Sequence, residues 1–94
     1  MDKIRFYEEI VMDEVKIRSK ILKIIYELDK ISNGYKVDSR DLLERIDVSN
    51  DELLSNAKYL EKDGYLELEE YLGKEFKAKI TSDGRDKVEK MDFK

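Results

Sequence analysis

The run from Val37 to Leu66, VDSRDLLERIDVSNDELLSNAKYLEKDGYL, constrains this chain most, because its spacing and end signals spell two short helices joined by a tight turn. Asp38 is placed to cap the first, whose inward side is Leu42, Leu43 and Ile46. Asp47-Val48 leaves room only for a sharp reversal. Ser49 then opens the second helix with Glu52 three residues on, an S-x-x-E capping box in which side chain and backbone satisfy each other's orphan groups. Leu53, Ala57 and Leu60 follow at i, i+4 and i+7, so one face is apolar and the small Ala57 admits a close neighbour. Gly64 ends the helix, since glycine takes the left-handed cap conformation at no steric cost.

The flanks add a hairpin and two more helices. Tyr65 to Tyr71 alternates apolar and charged residues, Leu72-Gly73-Lys74 supplies the turn, and Glu75 to Ile80 alternates again. Placing Leu66 opposite Ile80 and Leu68 opposite Ala78 makes one face apolar. The same register sets Glu67 against Lys79 and Glu69 against Lys77, pairs of opposite charge that favour it. Upstream, Ile17, Ile21, Ile24, Ile25, Leu28 and Ile31, widened by Leu22, form a helical stripe that stops at Ser32-Asn33-Gly34. Downstream, Thr81 or Ser82 is the expected N-cap of a closing helix, with Asp83 in its first turn.

Helix, helix, helix, hairpin, helix is the order of a winged helix-turn-helix domain. The chain resembles that superfamily, in particular the small bacterial and archaeal transcription regulators typified by the MarR and PadR families. The likeness rests on D-L-L-E-R-I-D-V-S from Asp41 to Ser49, Y-L-E-K-D-G-Y-L from Tyr59 to Leu66 and I-T-S-D-G-R from Ile80 to Arg85. The expected fold class is therefore α+β and mostly helical: a winged helix-turn-helix with a two-stranded β-hairpin wing and extra N- and C-terminal helices. The expected division is an amphipathic helix over residues 1–16 and the winged helix-turn-helix domain over residues 17–94.

With 94 residues and 40% apolar content there is material for one core. No apolar run exceeds three residues, so neither a membrane span nor a secretory leader is expected, and the expected location is the cytoplasm. The chain has no His and no Cys, which removes the Ser-His-Asp triad, the cysteine nucleophile, the imidazole base and the thiolate metal site. Adjacent acids such as Glu8-Glu9 and Asp51-Glu52 would point about 100° apart on a helix and share no ion. The glycines at 34, 64, 73 and 84 are isolated, so no phosphate-cradling loop exists. Neither catalysis, a metal nor a cofactor is expected.

The resemblance instead implies double-stranded DNA as partner, with the helix over residues 50–63 in the major groove and the 65–80 hairpin as wing. Projected at 100° per residue, Asp51, Ser55, Lys58 and Lys62 fall on its outer face with Tyr59 to one side. Ser55 and Tyr59 are candidates for hydrogen bonds to base edges, Lys58 and Lys62 for charge. Ser39 and Arg40, at the start of the preceding helix, match positions that hold phosphate, and Lys74 and Lys77 would be the wing's contribution.

Charge argues in the other direction. The chain carries −4, and residues 49–64 set Lys58 and Lys62 against Asp51, Glu52, Glu61 and Asp63. DNA affinity depends heavily on neutralised phosphates, so an acidic pair at the helix start works against it. Leu54 offers no hydrogen bond and is expected at the edge of the core. Solvation alone accounts equally well for Lys58 and Lys62, Lys77 has Glu69 as a cross-strand partner, and Tyr59, Tyr65 and Tyr71 are expected to pack rather than stack on bases. The alternative to a DNA-binding regulator is a winged-helix protein interaction module. Ile4, Tyr7, Val11 and Val15, with Ile10 on a neighbouring track, recur at helical spacing and, with Val88, Met91 and Phe93, suggest a homodimer. No residue identifies a small-molecule effector.

Overall fold

The computed structural model describes residues 14–91. Seven elements follow in order: α1 (Glu14–Ile31), β1 (Val37–Asp38), α2 (Ser39–Arg45), α3 (Asn50–Lys62), β2 (Leu66–Glu70), β3 (Phe76–Ile80) and α4 (Ser82–Met91). The described chain is thus α+β, with four helices and one small antiparallel sheet. The apolar positions Ile4, Tyr7, Ile10 and Val11, and Phe93 at the other end, lie outside the described residues.

The helix boundaries sit where the local chemistry puts them. Asp38 is extended and its carboxylate accepts the Arg40 N–H at 3.0 Å, capping α2. Ser49 Oγ accepts the Glu52 N–H while Glu52 Oε1 accepts the Ser49 N–H, both at 3.1 Å, so the capping box is complete. Thr81 caps α4: its hydroxyl accepts the Gly84 N–H at 3.0 Å and donates to the Gly64 carbonyl at 2.6 Å, joining the end of α3 to the start of α4. Gly64, at φ +86°, makes that junction possible.

The hairpin takes the expected register, with Leu66, Glu67, Leu68 and Glu69 opposite Ile80, Lys79, Ala78 and Lys77. The sheet, however, has three strands and not two. Val37 and Asp38 pair with Ala78 and Lys77 on the far edge of β3, giving the order β1-β3-β2. A two-residue strand has no periodicity to betray it. It exists because Val37 is fully buried there and because the second edge of β3 needs a hydrogen-bonding partner.

One core joins these elements. Ile17, Ile21, Leu22 and Ile25 of α1 meet Leu42 and Ile46, then Leu53, Ala57 and Leu60 of α3, and the sheet's Leu66, Phe76, Ala78 and Ile80, with Val88 of α4 closing one side. The α1 stripe ends sooner than its spacing predicts. Ile31 is 81% exposed, and the inward position in the last turn belongs to Asp29, 5% exposed. Its Oδ1 accepts the Gly34 N–H at 2.8 Å and its Oδ2 accepts from Arg85 Nε at 2.9 Å, so a buried charge ties α1, the following turn and α4 together. Gly84 is also buried: a Cβ there would collide with the Tyr65 carbonyl oxygen and come within 2.7 Å of Ile80 Cγ1. Among the described residues every buried side-chain nitrogen or oxygen has a partner.

Candidate nucleic-acid interface

With Leu53, Asn56, Ala57 and Leu60 turned into the protein, α3 presents Asp51, Ser55, Lys58 and Lys62 outward. The hairpin is strapped to one flank of this helix at three levels. Lys74 Nζ lies 2.6 Å from Asp51 Oδ1, Lys58 Nζ lies 3.5 Å from Glu70 Oε1, and Glu61 Oε2 accepts the Leu68 N–H at 3.3 Å. On the opposite flank stands α1. Arg18 donates from Nη1 to Asn56 Oδ1 at 3.1 Å and lies over the Tyr59 ring, 3.8 Å from its centroid. Asn56 in turn donates to the Glu52 carbonyl at 2.8 Å, which fixes its amide. Leu54 packs at the edge of the core, as expected.

The predicted contact residues divide by what already holds them. Ser55 and Lys62 are exposed and make no side-chain hydrogen bond, ion pair or ring contact among the described residues. Arg40 is exposed but folds back on its own cap residue, Nε to Asp38 Oδ1 and Nη2 to Oδ2, both at 3.4 Å. The backbone N–H of Arg40, and then its guanidinium, hold the Asp38 carboxyl below its ordinary value. Lys77 sits on the central strand between two acids in register, Asp38 on β1 and Glu69 on β2. The Glu69 carboxyl is itself kept low, chiefly by the Tyr71 hydroxyl, which donates to it at 3.1 Å, and by Lys36, 3.5 Å away.

Ser39 is not on this surface, contrary to the sequence-based expectation. It is 2% exposed, and its hydroxyl accepts the Phe76 N–H at 3.1 Å, linking α2 to β3. The physical reason is β1: once Val37 and Asp38 join the sheet, the next side chain is carried under the strand edge instead of out to solvent. Tyr59 stays half exposed, but its ring face is covered by Arg18 rather than open to a base. Arg18 and Asn56 escaped the sequence reading. The one trace of Asn56 was its place beside Ala57 at the rim of the apolar arc, and Arg18 left none.

The electrostatics of this face follow from counting. Residues 36–79 hold eight basic residues against twelve acidic ones, which accounts for the whole of the chain's −4, while the segments before and after are each balanced. Four of the eight cations, Lys36, Arg40, Lys58 and Lys74, lie within 4 Å of a carboxylate. A phosphate arriving at Lys74, Lys58 or Arg40 therefore has to displace Asp51, Glu70 or Asp38.

Among the described residues no group of His, Cys, Asp or Glu is arranged to hold a metal ion, and no helix is long and apolar enough to cross a membrane. No protein-family model, curated protein or solved structure matches this chain.

Proposed function

We propose that this chain is a DNA-binding transcription regulator of the winged helix-turn-helix type, similar to the MarR- and PadR-like regulators. In it, α3 enters the major groove and the β2–β3 hairpin is the wing. The observation that carries the reading is the outer face of α3 between its two straps: Ser55 and Lys62 exposed and without side-chain partners, with Lys58, Lys74 and Arg40 around them. Ser55 is assigned to base edges, and Lys58, Lys62, Lys74 and Arg40 to phosphates once their carboxylate partners give way. The regulator acts in the cytoplasm as a homodimer that sets two copies of α3 on successive groove faces, so that two weak contacts count as one strong one. Its solution mass tests the dimer. With neither His nor Cys in the chain, the reading includes no catalytic step.

The test is a titration with genomic-fragment duplex at several salt concentrations. A regulator binds with log affinity falling linearly against log salt, by about 0.9 per phosphate neutralised. Replacing Arg40 and Lys74 together by Ala weakens binding across all sequences, and Ser55→Ala changes sequence preference. No binding at low salt overturns the reading.

A second reading, a protein interaction module on the same scaffold, is favoured by one observation: the net −4 of residues 36–79, with four of its eight cations tied to its own acids. It expects no duplex binding, and association with a basic protein surface that weakens on Asp51→Lys.

A further inference from the structure

The side of α1 that faces away from the core differs in charge from the rest of the molecule. The helix buries Ile17, Ile21, Leu22, Ile25 and Asp29, and on its opposite side exposes Lys16, Lys20, Lys23, Glu27 and Lys30. At 100° and 1.5 Å per residue these five positions fall within an arc of about 80° and along about 21 Å of axis. They form one row with four cations and one acid. The other two acids of α1 are spoken for elsewhere: Glu14 lies 3.6 Å from Arg18 and Asp29 is bound to Arg85. Among the described residues no carboxylate lies within ion-pair distance of Lys16 or Lys20, and Lys30 lies over the Tyr26 ring at 5.2 Å. On the α2–α3 and hairpin face, by contrast, Arg40, Lys58 and Lys74 are each paired with a carboxylate.

We propose that the outer row of α1, through Lys16, Lys20 and Lys30, is a docking surface for the phosphate backbone of double-stranded DNA, independent of sequence and separate from the face of α3. A duplex is the partner that fits because it offers one negative charge per about 1.7 Å of axis, so flexible lysine side chains find several phosphates within the length of the row. A lipid surface fits less well. A helix lying on a membrane needs a stripe of large apolar residues along its cations, whereas this row is charged throughout and the exposed Ile31 adjoins only its last turn. The acidic face of a second copy fits less well, because residues 36–79 spread a net −4 over that whole face, a far lower charge density than the one per about 1.7 Å of a duplex.

The inference stands apart from the assignment of α3 as base reader, and one experiment separates them. Fluorescence anisotropy with a random-sequence duplex, between low and physiological salt, compares the parent chain with K16Q/K20Q/K30Q, with K16R/K20R/K30R and with R40A/K74A, their folding checked by circular dichroism. Glutamine and arginine match lysine closely in helix propensity, so the helix is retained. The Gln variant is expected to bind about tenfold or more weakly at low salt, with a log–log slope shallower by about 2 to 3, and the Arg variant to bind like the parent. That result with no effect of R40A/K74A sustains the α1 surface and removes the phosphate role given to Arg40 and Lys74. Parent-like binding by the Gln variant overturns the α1 surface whatever R40A/K74A does. So does a parent chain that binds no duplex, or one whose Gln variant loses only self-association in sedimentation or adsorption to anionic vesicles.

Discussion

Lys74 Nζ stands 2.6 Å from Asp51 Oδ1, so the tip of the hairpin is held to the first turn of α3 by a charge pair on the protein's surface. Asp51 thereby does two things. It complements the positive end of the helix, and it occupies the cation that the hairpin would otherwise offer to a phosphate.

Asp51→Asn is therefore expected to raise affinity for duplex DNA and steepen its salt dependence by about one counterion, because Lys74 is released and an acid is removed. The stability cost stays within about 1 kcal/mol, since both side chains are more than half exposed. Parallel duplex titrations and urea melts measure the two effects. Unchanged or weaker binding contradicts the role given to Lys74.

Ser39→Ala should act on folding and not on DNA. It leaves the buried Phe76 N–H without its acceptor, at a cost of about 1–3 kcal/mol in urea denaturation, while the folded variant keeps the parent's duplex affinity. Loss of affinity at full folding would return Ser39 to the contact surface.

The Asp29–Arg85 pair makes stability depend on acid. The Arg85 hydrogen bond, with help from the Gly34 N–H and against the penalty of burial, holds the Asp29 carboxyl below its ordinary 3.8. A group whose folded value is depressed stabilises the protein above its unfolded value, and that contribution is lost as pH falls from about 3.8 through the lower folded value. Asp29→Asn lowers the melting midpoint at pH 7 and removes this part of the acid-side decline, so the two melting curves converge as pH drops. Parallel curves down to pH 2 would show that the pair carries none of it.

Gly84→Ala is expected to destabilise by about 1–3 kcal/mol, although the same change inside an open helix stabilises by about 1 kcal/mol. The difference is the approach of Tyr65 and Ile80, which leaves no space for a methyl group. A higher urea midpoint for the variant would mean that α4 moves away from the sheet at little cost.

Much of this architecture was legible because its signals are local. The capping box of Ser49 and Glu52 spans four residues, and the alternation of Glu67 and Glu69 with Lys77 and Lys79 sets a register that the sheet adopts. The candidate site was less legible. The outward positions of α3 came directly from helical projection, but the state of each cation did not, because Lys74, Lys58 and Lys77 find their partners on other elements.

The amino-acid sequence by itself determined the helical segments, the caps at Asp38, Ser49 and Gly64, the hairpin and its register, since each depends on periodicity or on groups a few residues apart. Only the tertiary structure decided that Val37 and Asp38 form a third strand, that Ser39 turns inward to Phe76, that Asp29 meets Arg85 56 positions away, and that Arg18 covers Tyr59. Those contacts come from packing whole elements against one another, where burial must be matched by a hydrogen-bond or charge partner, and such partners carry no spacing rule along the chain.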